Sequence, residues 1–154
     1  MARAIGVGEE GDVSMTNRSK QKRKYGEPIM VRRYWKQIGG TLITEFQMVG
    51  RSPSCGVRWA DGLIVLGGKP KRLKEKEKRN VEVAGKDVIV IQASNGRLGM
   101  YVMGQGVFSA ELMKRFKPKS VKSVILCVKD DAALRPLLAP FHNVEVKVMS
   151  HRGL

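Results

Sequence analysis

The chain has 154 residues, of which 29 are Lys or Arg and 14 are Asp or Glu, a formal net charge of +15 with both histidines neutral. The length suits one domain, and a hydrophobic fraction of 42% beside 28% charged residues excludes a wholly disordered chain. No apolar run reaches the roughly 18 residues a membrane span needs, and no charged segment followed by an apolar core opens the chain, so neither membrane insertion nor secretion is expected.

In chain order, residues 1–27 lack a periodic apolar pattern and carry Arg18, Lys20, Lys22, Arg23 and Lys24, the pattern of a mobile basic arm. From Pro28 the apolar positions Ile29, Val31, Trp35 and Ile38 recur at helical spacing until Gly39 and Gly40 stop the chain. Thr41 to Val49 alternates, with Leu42, Thr44, Phe46 and Met48 on one side and Ile43, Glu45 and Gln47 on the other, which predicts a strand. After the turn-rich RSPSCG, Val57 to Leu66 reads as a second strand, and the two are expected to pair as a hairpin.

The next segment, 68–80, is a basic loop: Lys69, Lys71, Arg72, Lys74, Lys76, Lys78 and Arg79 face only Glu75 and Glu77. Its single apolar side chain, Leu73, predicts no anchorage to a core. One such run is ordinarily a solvated linker, but two on a chain of this charge point to a polyanion, because each phosphate neutralised releases counterions. Neither run alternates with a bulky apolar face, so nucleic acid is the expected partner rather than a membrane surface.

Asp87 to Ala93 is nearly continuous and β-branched, the pattern of a strand buried on both faces. Leu98 to Phe116 is the main helix, its glycines Gly99, Gly104 and Gly106 explained by close packing on a sheet or by a broken first turn. Ser120 to Val128 is another buried strand. Asp130 or Asp131 then caps a short helix, DAALRPLLAPF, and Val144 to Met149 is a last strand before the 151–154 tail. The fold expected over 28–150 is α/β, a single mixed-sheet domain of order αβββαβαβ.

Cys55 and Cys127 are far apart, and His142 and His151 form no ligand pair, so structural zinc is not expected and a reducing cytoplasm fits best. Pairing of the first two strands about Pro53 sets Glu45 opposite Asp61, two carboxylates that need water, a cation or a basic partner between them. Gln92 and Ser94 end the third strand, where mixed α/β sheets meet ligands. Asp61, Gln92 and the carbonyl of Ala93 offer hard oxygen donors of the kind Mg²⁺ takes.

With Trp59-Ala60-Asp61-Gly62 on the second strand and Gln92-Ala93-Ser94 on the third, the chain resembles the PD-(D/E)XK, or restriction-endonuclease-like, nuclease superfamily over about 28–128. The resemblance implies that Asp61 matches the metal-binding aspartate and Gln92 the first position of (D/E)xK, with Ser94 in the lysine's place and Glu45 resembling an extra upstream glutamate. It further implies Mg²⁺ or Mn²⁺ held by Asp61, Gln92 and Ala93, catalytic positions at Asp61, Gln92, Glu45 and Ser94, and a metal-bound water attacking a phosphodiester. Arg97, Lys86 or the basic loop would have to replace the missing lysine.

The nucleic-acid contacts expected are Arg18, Lys20, Lys22, Arg23, Lys24, Lys69, Lys71, Arg72, Lys74, Lys76, Arg79 and Arg97, with DNA ahead of RNA. A homodimer, using the apolar C-terminal strand as an edge, follows from the family analogy. The competing expectations are a catalytically inactive binding module on the same fold and a ribonucleoprotein component.

Overall fold

The strands predicted from the apolar patterns form as β1 (Thr41–Val49), β2 (Arg58–Val65), β3 (Asp87–Ala93), β4 (Ser120–Cys127) and β5 (Val144–Val148). In the computed structural model, which describes residues 27–150 except 75, 79 and 80, they form one mixed sheet in that order. The pairs β1–β2 and β2–β3 are antiparallel, and β3–β4 and β4–β5 are parallel. Helix α1 (Glu27–Ile38) covers one face and α2 (Met100–Met113) crosses the other between β3 and β4. The α/β expectation holds, and every strand lies within one residue of its predicted bounds.

The centre of the sheet is apolar. On β3, Ile89 and Ile91 pack with Met30, Val31 and Tyr34 of α1, while Val88 and Val90 enter the opposite cluster with Leu63 and Met113. Period-two alternation in a continuous apolar strand thus feeds two cores at once. Gly106 explains how closely α2 sits on β4: a Cβ there would lie 2.5 Å from Ile125 Cδ1, and Ser123 Oγ donates to the Gly106 carbonyl at 2.7 Å.

Four expectations are corrected. The buried face of α1 is Met30, Val31 and Tyr34, with Ile29 and Ile38 exposed, because the helix presents a face one residue round from the one its isoleucines suggest. The main helix is shorter than 98–116, ending at Met113 in a 3-10 turn, Lys114–Phe116, that is closed by Lys117 in a left-handed conformation.

The segment after β4 is no α-helix. Asp131 does cap it, its Oδ1 accepting from the N–H groups of Ala133 and Leu134 at 2.9 Å, but only one 3-10 turn forms, Arg135–Leu138. Pro136 and Pro140 lack the N–H that successive helical turns would require.

Finally, the basic loop is docked. Leu42 N–H donates to the Lys71 carbonyl at 2.9 Å, Leu73 N–H donates to the Leu42 carbonyl at 2.8 Å, and Thr41 Oγ1 donates to the Lys69 carbonyl at 2.7 Å. Leu73 is buried beside Ile43, Leu63 and Val83. One leucine suffices because the loop backbone also pairs with the edge of β1 at Leu42.

Candidate functional site

The β1–β2 hairpin departs from regular alternation where its two acidic residues stand at opposite register positions. Thr44 pairs with Gly62 and Phe46 with Ala60, which sets Glu45 opposite Asp61 as symmetry about position 53 predicts. Glu45 has φ 55°, a left-handed conformation that costs a residue with a Cβ and resets the alternation. Phe46 and Met48 therefore join Ile43 in one cluster rather than sharing a side with Leu42, and on β2 Ala60 joins Leu63 and Val65. The distal hairpin reaches the C-terminal end of α2, where Phe46 meets Phe116 edge-on with ring centroids 5.1 Å apart.

At the same level β2 leaves β3. The regular ladder ends at Gly62 and Ile91, and side chains close the fork beyond it. Asp61 Oδ2 accepts from the Ala93 backbone N–H at 2.8 Å. Gln92 Nε2 donates to the Trp59 carbonyl at 3.2 Å and to Ser109 Oγ at 2.9 Å. A backbone carbonyl can only accept, so the Trp59 contact fixes which end of the Gln92 amide points there. Gln92 is 2% exposed and Ser109 is equally buried, while Asp61 and Ser94 are half-buried.

Of the three expected metal donors, Asp61 meets Ala93 through the Ala93 N–H rather than the carbonyl, and Gln92 is buried under α2, its amide nitrogen bonding the Trp59 carbonyl and Ser109. A side chain 2% exposed beneath α2 is not presented to a phosphate at the protein surface. Among the described residues no group of three or more His, Cys, Asp or Glu side chains could hold a metal ion.

Of the candidates for the missing lysine, Lys86 and the basic loop lie elsewhere and Arg97 is engaged by a carbonyl. Lys86 precedes β3 at its opposite end, six residues from Gln92 or about 20 Å along the strand. Arg97 Nη1 donates to the Asp130 carbonyl at 2.7 Å. The basic loop is held on the outer edge of β1 at Leu42, opposite the end where β2 and β3 part. There Lys69, Lys71 and Lys86 line an open cleft of about 560 Å³ with Thr41, Gly68 and Glu82. Lys71 Nζ lies 2.6 Å from Glu77, whose carboxyl is held below its ordinary value by that contact and by the Lys74 backbone N–H.

Lys69, Lys71, Arg72, Lys74, Lys76 and Arg97 are all exposed. The arm residues Arg18, Lys20, Lys22, Arg23 and Lys24, and Arg79, lie outside the described residues. Trp59 is 50% exposed beside exposed Arg58 on the distal hairpin, whereas Trp35 is half-buried, its indole N–H donating to the Gly40 carbonyl at 2.7 Å. Sequence reasoning missed Ser109. Its signal was a lone hydroxyl within the apolar run of α2, where a buried polar atom requires a partner.

Comparisons of this chain with protein-family models, with curated proteins and with solved structures give no match.

Proposed function

We propose that this chain is a nucleic-acid-binding domain with a restriction-endonuclease-like arrangement of elements, which holds the phosphate backbone on its basic surface and does not hydrolyse it. The observation that carries the reading is Gln92, the residue whose oxygen a nuclease of this kind would offer to its metal. It is buried, and its amide nitrogen bonds the Trp59 carbonyl and Ser109, so it fastens β3 to β2 and α2. Ser94 supplies no cation where water activation would need one, Lys86 lies before the opposite end of β3, and Arg97 is engaged by the Asp130 carbonyl. Binding needs none of these groups: it draws on the charge of +15.

The metal-dependent phosphodiesterase is the second reading, supported by Asp61 at the fork beside the Ala93 backbone and by the order of the elements. The two separate on incubation of DNA and RNA with Mg²⁺ or Mn²⁺ across a pH series. Intact strands are expected. Metal-dependent cleavage that Asp61→Ala abolishes while binding survives would replace the first reading by the second.

A further inference from the structure

Helix α2 has apolar residues all round, the composition of a helix buried on every side, yet the sheet covers only one side of it. Val102, Met103, Gly106, Ser109, Ala110 and Met113 face the protein. On the outer side Tyr101 is 78% exposed and Phe108 67%, with Met100 at the flank 76% exposed. Tyr101, Gly104, Phe108 and Glu111 follow at steps of three, four and three, which aligns them in one row. A Cβ at Gly104 would meet nothing within 4 Å, so the row holds a notch between two projecting rings.

We propose that this row is the docking face for a second copy of the same chain, the two α2 helices crossing antiparallel about a two-fold axis. An axis at the level of Gly106 sets Phe108 over the partner's Gly104 and Tyr101 against the partner's Glu111, and the symmetry makes each contact twice. The row is complementary to itself. A ring meets a notch, and a phenol O–H meets a carboxylate that Lys114 of its own chain already holds at 2.9 Å.

The chemistry favours a second copy over an unrelated chain, because a surface carrying both halves of each pair in mirror register satisfies an isologous contact without any other sequence. Exposed rings of this size give on the order of 500 Å² per copy, below the ~800 Å² of a stable interface, so the dimer is weak and concentration-dependent. This interface goes beyond nucleic-acid binding and does not depend on it.

The test is sedimentation velocity of the full chain from about 1 to 300 μM, at a salt concentration high enough to screen its positive charge. A monomer–dimer equilibrium is expected. Gly104→Phe sets ring against ring and Phe108→Ala leaves an empty notch, so each weakens association about ten-fold or more, while the double variant exchanges knob and hole and recovers it. Both positions are solvent-facing in the monomer, and circular dichroism with thermal melting checks that each variant folds. A wild type that stays monomeric throughout, even one that captures a different protein, overturns the proposal. So does a dimer that neither single substitution weakens, or a folded double variant that fails to recover association.

Discussion

Asp61 Oδ2 takes the backbone N–H of Ala93 at 2.8 Å, so a side chain replaces the rung that β2 can no longer supply once it turns away from β3. A half-buried carboxylate accepting the N–H of a buried residue is a strong, charge-assisted contact. Asp61→Ala leaves that donor unpaired and is expected to cost about 1–3 kcal/mol, with Asp61→Asn between it and wild type. Urea denaturation of the three proteins measures this. No loss of stability on Asp61→Ala would remove the structural role assigned to the residue.

Gly106 and Gly104 lie in the same helix but face opposite surroundings. Gly106→Ala drives a Cβ to 2.5 Å from Ile125 and is expected to destabilise by about 1–3 kcal/mol. Gly104→Ala meets nothing within 4 Å and is expected to stabilise dilute protein by up to about 1 kcal/mol through helix propensity. Melting curves recorded at low micromolar concentration should move in opposite directions.

Cys55 and Cys127 differ in environment as much as two thiols on one chain can. Hydrogen bonds from Ser54 and Ser52 hold the exposed Cys55 thiol below its ordinary pKa, whereas burial pushes the Cys127 thiol up. One equivalent of thiol should react rapidly with a disulfide reagent in the native protein, and the second only after unfolding. Cys55→Ser should abolish the fast phase.

Docking of the basic loop should depend on acid. The folded pKa of Glu77 is lowered by Lys71 and the Lys74 N–H, so its contribution is present above the ordinary carboxylate range and lost as pH falls through that lowered value. Amide exchange at Leu73 and Leu42, whose N–H groups hold the loop to β1, should quicken in Glu77→Gln at neutral pH relative to wild type. Equal exchange in the two proteins would mean that Leu73 alone secures the segment.

The strands were legible because β-branched alternation and glycine-rich turns both mark them, and β3 in particular reads as buried on each side from DVIVIQA alone. The register that sets position 45 opposite position 61 was legible as well, since a hairpin's register follows from the position of its turn. What sequence pattern could not show is the left-handed Glu45, which moves Phe46 and Met48 to the other face, because positive φ at a residue with a Cβ carries no periodic signal. The Gln92 contact was hidden for another reason. Whether a polar strand residue faces solvent or a helix depends on which helix residue lies above it, here Ser109, seventeen positions away. The loop was misjudged because backbone edge pairing leaves no mark in hydropathy.

The central claim is that the positive surface binds phosphate backbones, and the affinity of the full chain for one labelled DNA or RNA strand as a function of salt tests it most directly. A log–log plot from about 50 to 300 mM salt is expected to fall with a steep negative slope, made shallower by reversing Lys69, Lys74 and Lys76 to Glu. Absence of binding at the lowest salt, or an affinity that salt does not change, would contradict it.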